Sequence, residues 1–131
     1  MIALLGDVGQ VMTPFLGGIT SLYNSDWEGM AYLAAALIIN QIAIELLKSL
    51  VPRQRPNGSS RSFPSGHTSA AFLGAGFIAR RYGVVQSIPA FAIATFVGYN
   101  RIHCGAHWVS DVYAGALIGL TWCLPLRRYQ K

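Results

Sequence analysis

Met30–Ile39 is an unbroken apolar run, and with its flanks from Trp27 to Leu50 it is long enough to cross a bilayer as a helix of roughly 20 residues. The rest of the chain is of the same character. Hydrophobic residues make up 53% and charged residues only 11%, against about 25% charged in an ordinary globular domain. Too few water-facing side chains remain to coat a soluble surface. The length of 131 residues allows one domain spanning residues 1–131. The net charge of +5 raises nucleic acid as a partner. No basic stripe interleaved with aromatics is present, however, and the sequence argues against nucleic-acid binding.

The apolar segments divide at turn signals into an all-α, membrane-embedded bundle of about four to five helices. Residues 1–22 form an apolar stretch interrupted by Asp7, Gln10, Pro14 and Gly17-Gly18, read as a kinked or partly inserted first helix. No cleavable leader is expected, because Met1–Leu5 lacks a basic flank and meets Asp7 early. Ser25-x-x-Glu28 has the capping-box pattern for the second helix. Gln41, Glu45 and Lys48 lie on one face of that helix, predicted to point into the protein because ionisable groups avoid lipid. Val51–Pro64 is a loop. A third helix is predicted over His67–Tyr82 with Gly83 as its stop, a fourth over Val84–Tyr99 and a fifth from His107 to Leu124. The small residues Ala70/Gly74, Ala71/Ala75 and Gly115/Gly119 suit close helix approach in lipid. Cys104 and Cys123 read as small apolar side chains rather than a disulfide. Trp27, Trp108 and Trp122 fall near helix ends, as in an interfacial aromatic belt.

Three polar clusters interrupt this pattern: Lys48 with Arg55-Pro56, then Pro64-Ser65-Gly66-His67, then Asn100-Arg101 with His107 and Asp111. Alternating helices return all three to one membrane face. Lys48 supplies a point charge, while Arg55 and Arg101 supply planar forks that grip two oxygens each. Ser65 and Gly66 precede a helix start, where unpaired N–H groups and the helix dipole face an anion. His107 and Asp111, four apart, are predicted on one helical face, with the carboxylate orienting the imidazole. Such a set suits a phosphate ester, whose transition state spreads negative charge over its oxygens. His103 lies outside the pattern and reads either as accessory to the pocket or as structural; Arg53 and Arg61 read as solvated.

The order KxxxxxxRP, PSGH and RxxxxxHxxxD resembles the signature of the phosphatidic acid phosphatase type 2 superfamily. Asn100 stands where that family usually has Ser. The resemblance implies a metal- and cofactor-independent phosphatase in which His107 attacks phosphorus to form a phosphohistidine. It also implies that His67 protonates the departing alkoxide and then activates water. The expected substrate is a lipid phosphate such as phosphatidic acid, phosphatidylglycerophosphate or lipid A. Undecaprenyl (isoprenoid) diphosphate is the alternative, and an anionic-lipid-binding scaffold the non-enzyme alternative. Lys and Arg divide five to each side of the membrane. With the motif cations Lys48, Arg55 and Arg101 set aside, the side bearing Arg80-Arg81 and Arg127-Arg128 becomes cytoplasmic. The expectation is therefore a multi-pass inner-membrane protein among membrane lipids, with an outward-facing site, and a homo-oligomer is left open.

Overall fold

The computed structural model describes residues 1–131. It contains five helices and no strand: α1 (Ile2–Tyr23), α2 (Trp27–Leu50), α3 (Gly66–Arg81), α4 (Val84–His103) and α5 (Val109–Thr121). The helix α3 is the hub, packed chiefly against α4, α5 and α1, while α2 rests on α1 and α3. Ala71, Leu73 and Ala75 of α3 are fully buried, as are Ala94 and Val97 of α4. The small residues read from the sequence are where the helices meet. A methyl group on Gly115 or Gly119 would overlap the Ser65 or Ser69 carbonyl, so α5 lies directly on the backbone of α3. Gly74 gives α1 the same close approach to α3, beside a 2.7 Å bond from the Thr13 hydroxyl to the Ala71 carbonyl.

Burial in α1 is inverted relative to a helix of a soluble bundle. The buried positions of α1 are Gly6, Gly9, Thr13, Gly17 and Ser21, whereas Val8, Val11, Phe15 and Ile19 are exposed. In α2, Asn40 is buried, accepting bonds from Ser69 and from the Trp122 indole, while Ile38, Ile39, Ile42 and Leu46 face outward. Small and polar groups turned inward on α1, with large apolar ones outward on both helices, is a distribution that lipid selects, since polar groups must find partners within the protein. Both α1 and α2 are long and apolar enough to cross a membrane.

Several expectations are corrected. The first helix continues through Pro14 to Tyr23. The cap of α2 is Asp26, whose carboxylate accepts the Gly29 N–H at 2.9 Å, while Ser25 takes a positive φ of 54° in the turn before it. Gln41 and Glu45 are exposed rather than interior, because no element of the chain covers that face; Glu45 pairs instead with Arg61 at 2.7 Å. The helix α4 runs one turn beyond Tyr99 and carries Asn100 and Arg101 within it, whereas α5 is shorter than predicted at both ends. Gly83 ends α3 as expected, with φ +126° and its N–H given to the Ile78 and Ala79 carbonyls.

At the end of the bundle away from the polar loop, Arg81 grips Asp26 through two bonds of 2.7 Å, with both side chains almost wholly buried. Tyr82 donates to the same carboxylate and Arg81 also donates to the Arg127 carbonyl, fastening the C-terminal segment to the turn between α1 and α2. The Arg81 guanidinium holds the Asp26 carboxyl down to about 2 from its usual 3.8. Removing one partner of a buried pair strands the other, so Arg81→Ala is expected to cost about 3–5 kcal/mol in unfolding measured in detergent micelles. The wild-type pair contributes about 2 kcal/mol that is complete above pH 4 and disappears as pH falls from about 4 to 2. Unfolding titrations insensitive to pH across that window would contradict the assignment.

Candidate active site

The loop 51–64 is folded rather than slack. The Arg55 N–H bonds the Ser59 carbonyl and the Ser62 N–H bonds the Arg53 carbonyl, while Asn57 reaches across to the Gly105 carbonyl of the α4–α5 turn. This ties the first polar cluster to the third. Lys48, at the end of α2, donates to the Arg61 carbonyl at 2.9 Å. Arg55 uses only its Nε on the Ser60 carbonyl, leaving the rest of its guanidinium free.

His107 precedes α5 rather than lying on it, and this corrects the expected helical pairing. The Asp111 carboxylate accepts the Trp108 N–H at 2.8 Å, so the helix begins there and His107 stands in the preceding extended chain. Asp111 lies 3.8 Å from His107 Nδ1, beyond hydrogen-bond range. The atom that holds the ring is the Ser62 carbonyl, 2.6 Å from Nδ1. A carbonyl only accepts, so Nδ1 carries the proton and Nε2 keeps its lone pair. Asp111, fully buried, instead anchors the surroundings: it accepts from the Ser62 hydroxyl, from Trp108 and from Arg53 at 3.0 Å. Burial, with the positive charges of Lys48 and Arg55 close by, pushes His107 down to about 4 against the support of the Ser62 carbonyl. At neutral pH its Nε2 is therefore an uncharged base with no protein partner.

The start of α3 is the candidate anion cradle. Ser65 caps the helix, its hydroxyl bonded to the Thr68 N–H and hydroxyl, and its own N–H is given to the Asp111 carbonyl at 3.0 Å. Ser65 is fully buried, so its hydroxyl serves as a cap and not as the open phosphate donor expected. The first-turn N–H groups of Gly66 and His67 have no intrahelical partner. Both Arg55 and Arg101 lie near His67. The Arg101 guanidinium is nearly buried, and one of its terminal nitrogens donates to both the Asn100 side-chain oxygen and the Ala3 carbonyl, each at 2.7 Å. Asn100 itself donates to the Ile2 carbonyl, so the residue that departs from the usual Ser binds α1 and aims Arg101. Arg101 Nε is buried without any partner, an uncommon state for a charged donor.

Sequence reasoning missed three participants. Ser62 acts largely through its carbonyl, which no side-chain pattern reveals. Arg53, read as solvated, is the ionic partner of Asp111. Asp7, treated as an interruption of α1, lies 2.8 Å from His67 Nε2 and 3.2 Å from Arg101. An acid inside an apolar helix was the available signal. His103, by contrast, is exposed and stacked on Tyr99 at 5.7 Å, away from these groups. No three His, Cys, Asp or Glu side chains converge as metal ligands, and both cysteines are free.

Residues 57–131 match the family model described as the PAP2 superfamily. Over 129 residues the chain is 31% identical to a lipid A 4'-phosphatase of Helicobacter pylori, covering 88% of this chain and 65% of that protein. It is also 31% identical over 123 residues to phosphatidylglycerophosphatase B of Bacillus subtilis, covering 80% and 59%. The chain thus spans less than two thirds of the length of either curated relative. The fold superposes on the crystal structure of Aquifex aeolicus LpxE with a TM-score of 0.79 at 27% identity, covering 95% of this chain and 81% of that one. It superposes on a transmembrane phosphatidylglycerolphosphate phosphatase from Bacillus subtilis with a TM-score of 0.74 at 26% identity, covering 95% and 72%.

The buried position of His107 gives a direct test. Its imidazole is expected to titrate near pH 4 when followed by nitrogen NMR in micelles. A midpoint at the ordinary value near 6.5 would mean that the ring is solvated and away from the Lys48 and Arg55 charges.

Proposed function

The chain belongs to the PAP2 superfamily, and we propose that it is a single membrane-embedded domain that hydrolyses a lipid phosphomonoester through a phosphohistidine. The observation that carries this reading is His107: a buried imidazole, tautomer fixed by the Ser62 carbonyl, with its Nε2 lone pair free beside Lys48 and Arg55. A protein that only binds anionic lipid needs the cations but has no use for a neutral, oriented nucleophile. Phosphatidic acid, phosphatidylglycerophosphate and lipid A are the substrates to which the reading extends, in line with the relatives' names.

In this mechanism Lys48, Arg55 and Arg101 hold the phosphoryl oxygens. The Gly66 and His67 N–H groups at the start of α3 add two neutral donors. His107 Nε2 attacks phosphorus, an N–P bond forms, and the P–O ester bond breaks with its electron pair passing to the lipid oxygen. His67 gives that oxygen a proton. In the second half, His67 takes a proton from water as the water oxygen attacks the phosphohistidine, and inorganic phosphate leaves with His107 restored. Asp111 keeps Ser62, Trp108 and Arg53 in register so that the His107 ring stays aimed.

We place the chain in the inner membrane as a multi-pass protein, with the polar loop and site on the extracytoplasmic side and Arg80, Arg81, Arg127 and Arg128 facing the cytoplasm. Exposed Trp27 and Trp108 at opposite ends of the bundle suit the two interfaces. The face of α2 that carries Gln41 and Glu45 lacks a covering element, which suits contact with a second copy.

Purified protein in detergent should release phosphate from at least one of phosphatidic acid, phosphatidylglycerophosphate and lipid A. His107→Ala should lower the rate by roughly 10³-fold or more, because the covalent route is removed. Activity should persist in EDTA and be inhibited by vanadate, which mimics the pentacoordinate phosphoryl group. Wild-type silence on every lipid phosphate would overturn the reading, and loss of activity on chelation would overturn its metal-free form.

A further inference from the structure

The proposed mechanism makes no use of the carboxylate that lies closest to His67. Asp7 stands in the second turn of α1, and its Oδ1 is 2.8 Å from His67 Nε2 and 3.2 Å from an Arg101 terminal nitrogen. The placement is built into the packing. Gly6 has no room for a side chain, because Arg101 and Asn100 lie against it. The Ile2 and Ala3 carbonyls are clasped by Asn100 and Arg101. The helix α1 thus docks on the site through its first two turns, although it lies outside residues 57–131 that match the family model.

Asp7 also heads a stripe that leaves the site. With Val8, Val11, Met12 and Phe15 it lines a shallow groove down the outer face of α1. All four apolar residues are exposed where lipid lies. Asp7 belongs both to this groove and to the His67 contact, so an apolar chain lying in the groove would leave its head beside Asp7. His67 is the group that meets the departing oxygen, so the leaving group passes the Asp7 carboxylate on its way out.

We propose that Asp7 is a specificity-determining residue that selects a neutral leaving group, favouring lipid monophosphates over lipid diphosphates at this site. The inference rests on the lipid phosphatase reading and narrows its substrate class. With a monophosphate, the P–O bond breaks, the electron pair goes to the lipid oxygen, and the proton from His67 makes a neutral alcohol. With a diphosphate, the same bond cleavage leaves a lipid monophosphate. Its bridging oxygen takes the proton, or the negative charge, while its remaining oxygens stay anionic. That anion forms across the His67 ring from the Asp7 carboxylate, a span of roughly 7 Å with a hydrogen bond on each side of the ring, where like charges repel. Arg101 offsets part of the repulsion but is already committed to the transferred phosphoryl group. After screening by solvent and by Arg101, a discrimination of roughly tenfold is expected.

The test uses two substrates with one tail, dodecyl phosphate and dodecyl diphosphate, and the full chain in detergent. Wild type should show the higher kcat/KM on the monophosphate, with the advantage shrinking as salt is raised. Asp7→Asn should raise the diphosphate-to-monophosphate ratio of kcat/KM roughly tenfold, whatever it does to the absolute rates. Asp7→Glu, which keeps the charge, should stay near the wild-type ratio. A wild type that prefers the diphosphate, or an Asp7→Asn protein with an unchanged ratio, overturns the selection by Asp7 while leaving the phosphatase reading intact. Wild-type silence on both substrates, and on the natural lipids, overturns the phosphatase reading and this one together.

Discussion

The contact between α3 and α5 is the constraint on which the rest of this molecule depends. Gly115 and Gly119 bring the backbone of α5 onto the Ser65 and Ser69 carbonyls. At that separation the Ser65 N–H meets the Asp111 carbonyl. The anion cradle at the head of α3 and the chain that carries His107 are thereby spaced by main-chain atoms, which have little freedom to drift. Larger residues at either glycine would separate the two helices, and the start of α3 would no longer face His107. Hydrophobic burial cannot supply this closeness in lipid, where the surroundings are as apolar as the core; shape and internal hydrogen bonds must do so.

The same economy explains the polar interior. Thr13, Asn40, Ser69 and Asp111 are fully or almost fully buried, and each is bonded to another element. Water is absent as an alternative partner within the hydrocarbon, so each such bond also fixes how one helix sits on another. At the site this leaves few groups unengaged. The free nitrogens of Arg55, the Nε2 of His107 and the Gly66 and His67 N–H groups at the start of α3 are among the exceptions. Unpaired polarity is concentrated where a charged ligand would satisfy it.

Much of this was legible in the residues. The apolar run at Met30–Ile39 marks α2, Gly83 ends α3, and the glycine pair in α5 marks its packing face. The cations and histidines of the three clusters do gather at one end of the bundle, because helix lengths and alternation follow from apolar periodicity. What was not legible depends on pairings between distant positions or on main-chain atoms. Asp7 and His67 are separated by 60 positions, and no local pattern links them. The four-residue spacing of His107 and Asp111 suggests a shared helical face. It fails because the Asp111 carboxylate caps the helix at Trp108 and excludes His107 from it. Gln41 and Glu45 were assigned inward from a general cost of charge in lipid. Their actual exposure reflects which neighbours α2 has, a property of the whole fold.

Ser62 divides its labour between two atoms of different kinds. Its hydroxyl belongs to the Asp111 network, while its carbonyl sets the tautomer of His107. Replacing the residue changes the first and leaves the second in place, as long as the loop keeps its course. Mutational scanning registers side chains and passes over the peptide bond, so this position will look more tolerant than its role warrants. The part of the His107 ring's support that matters most is encoded in the path of the chain between Arg53 and Pro64, and can persist under many different residues at position 62.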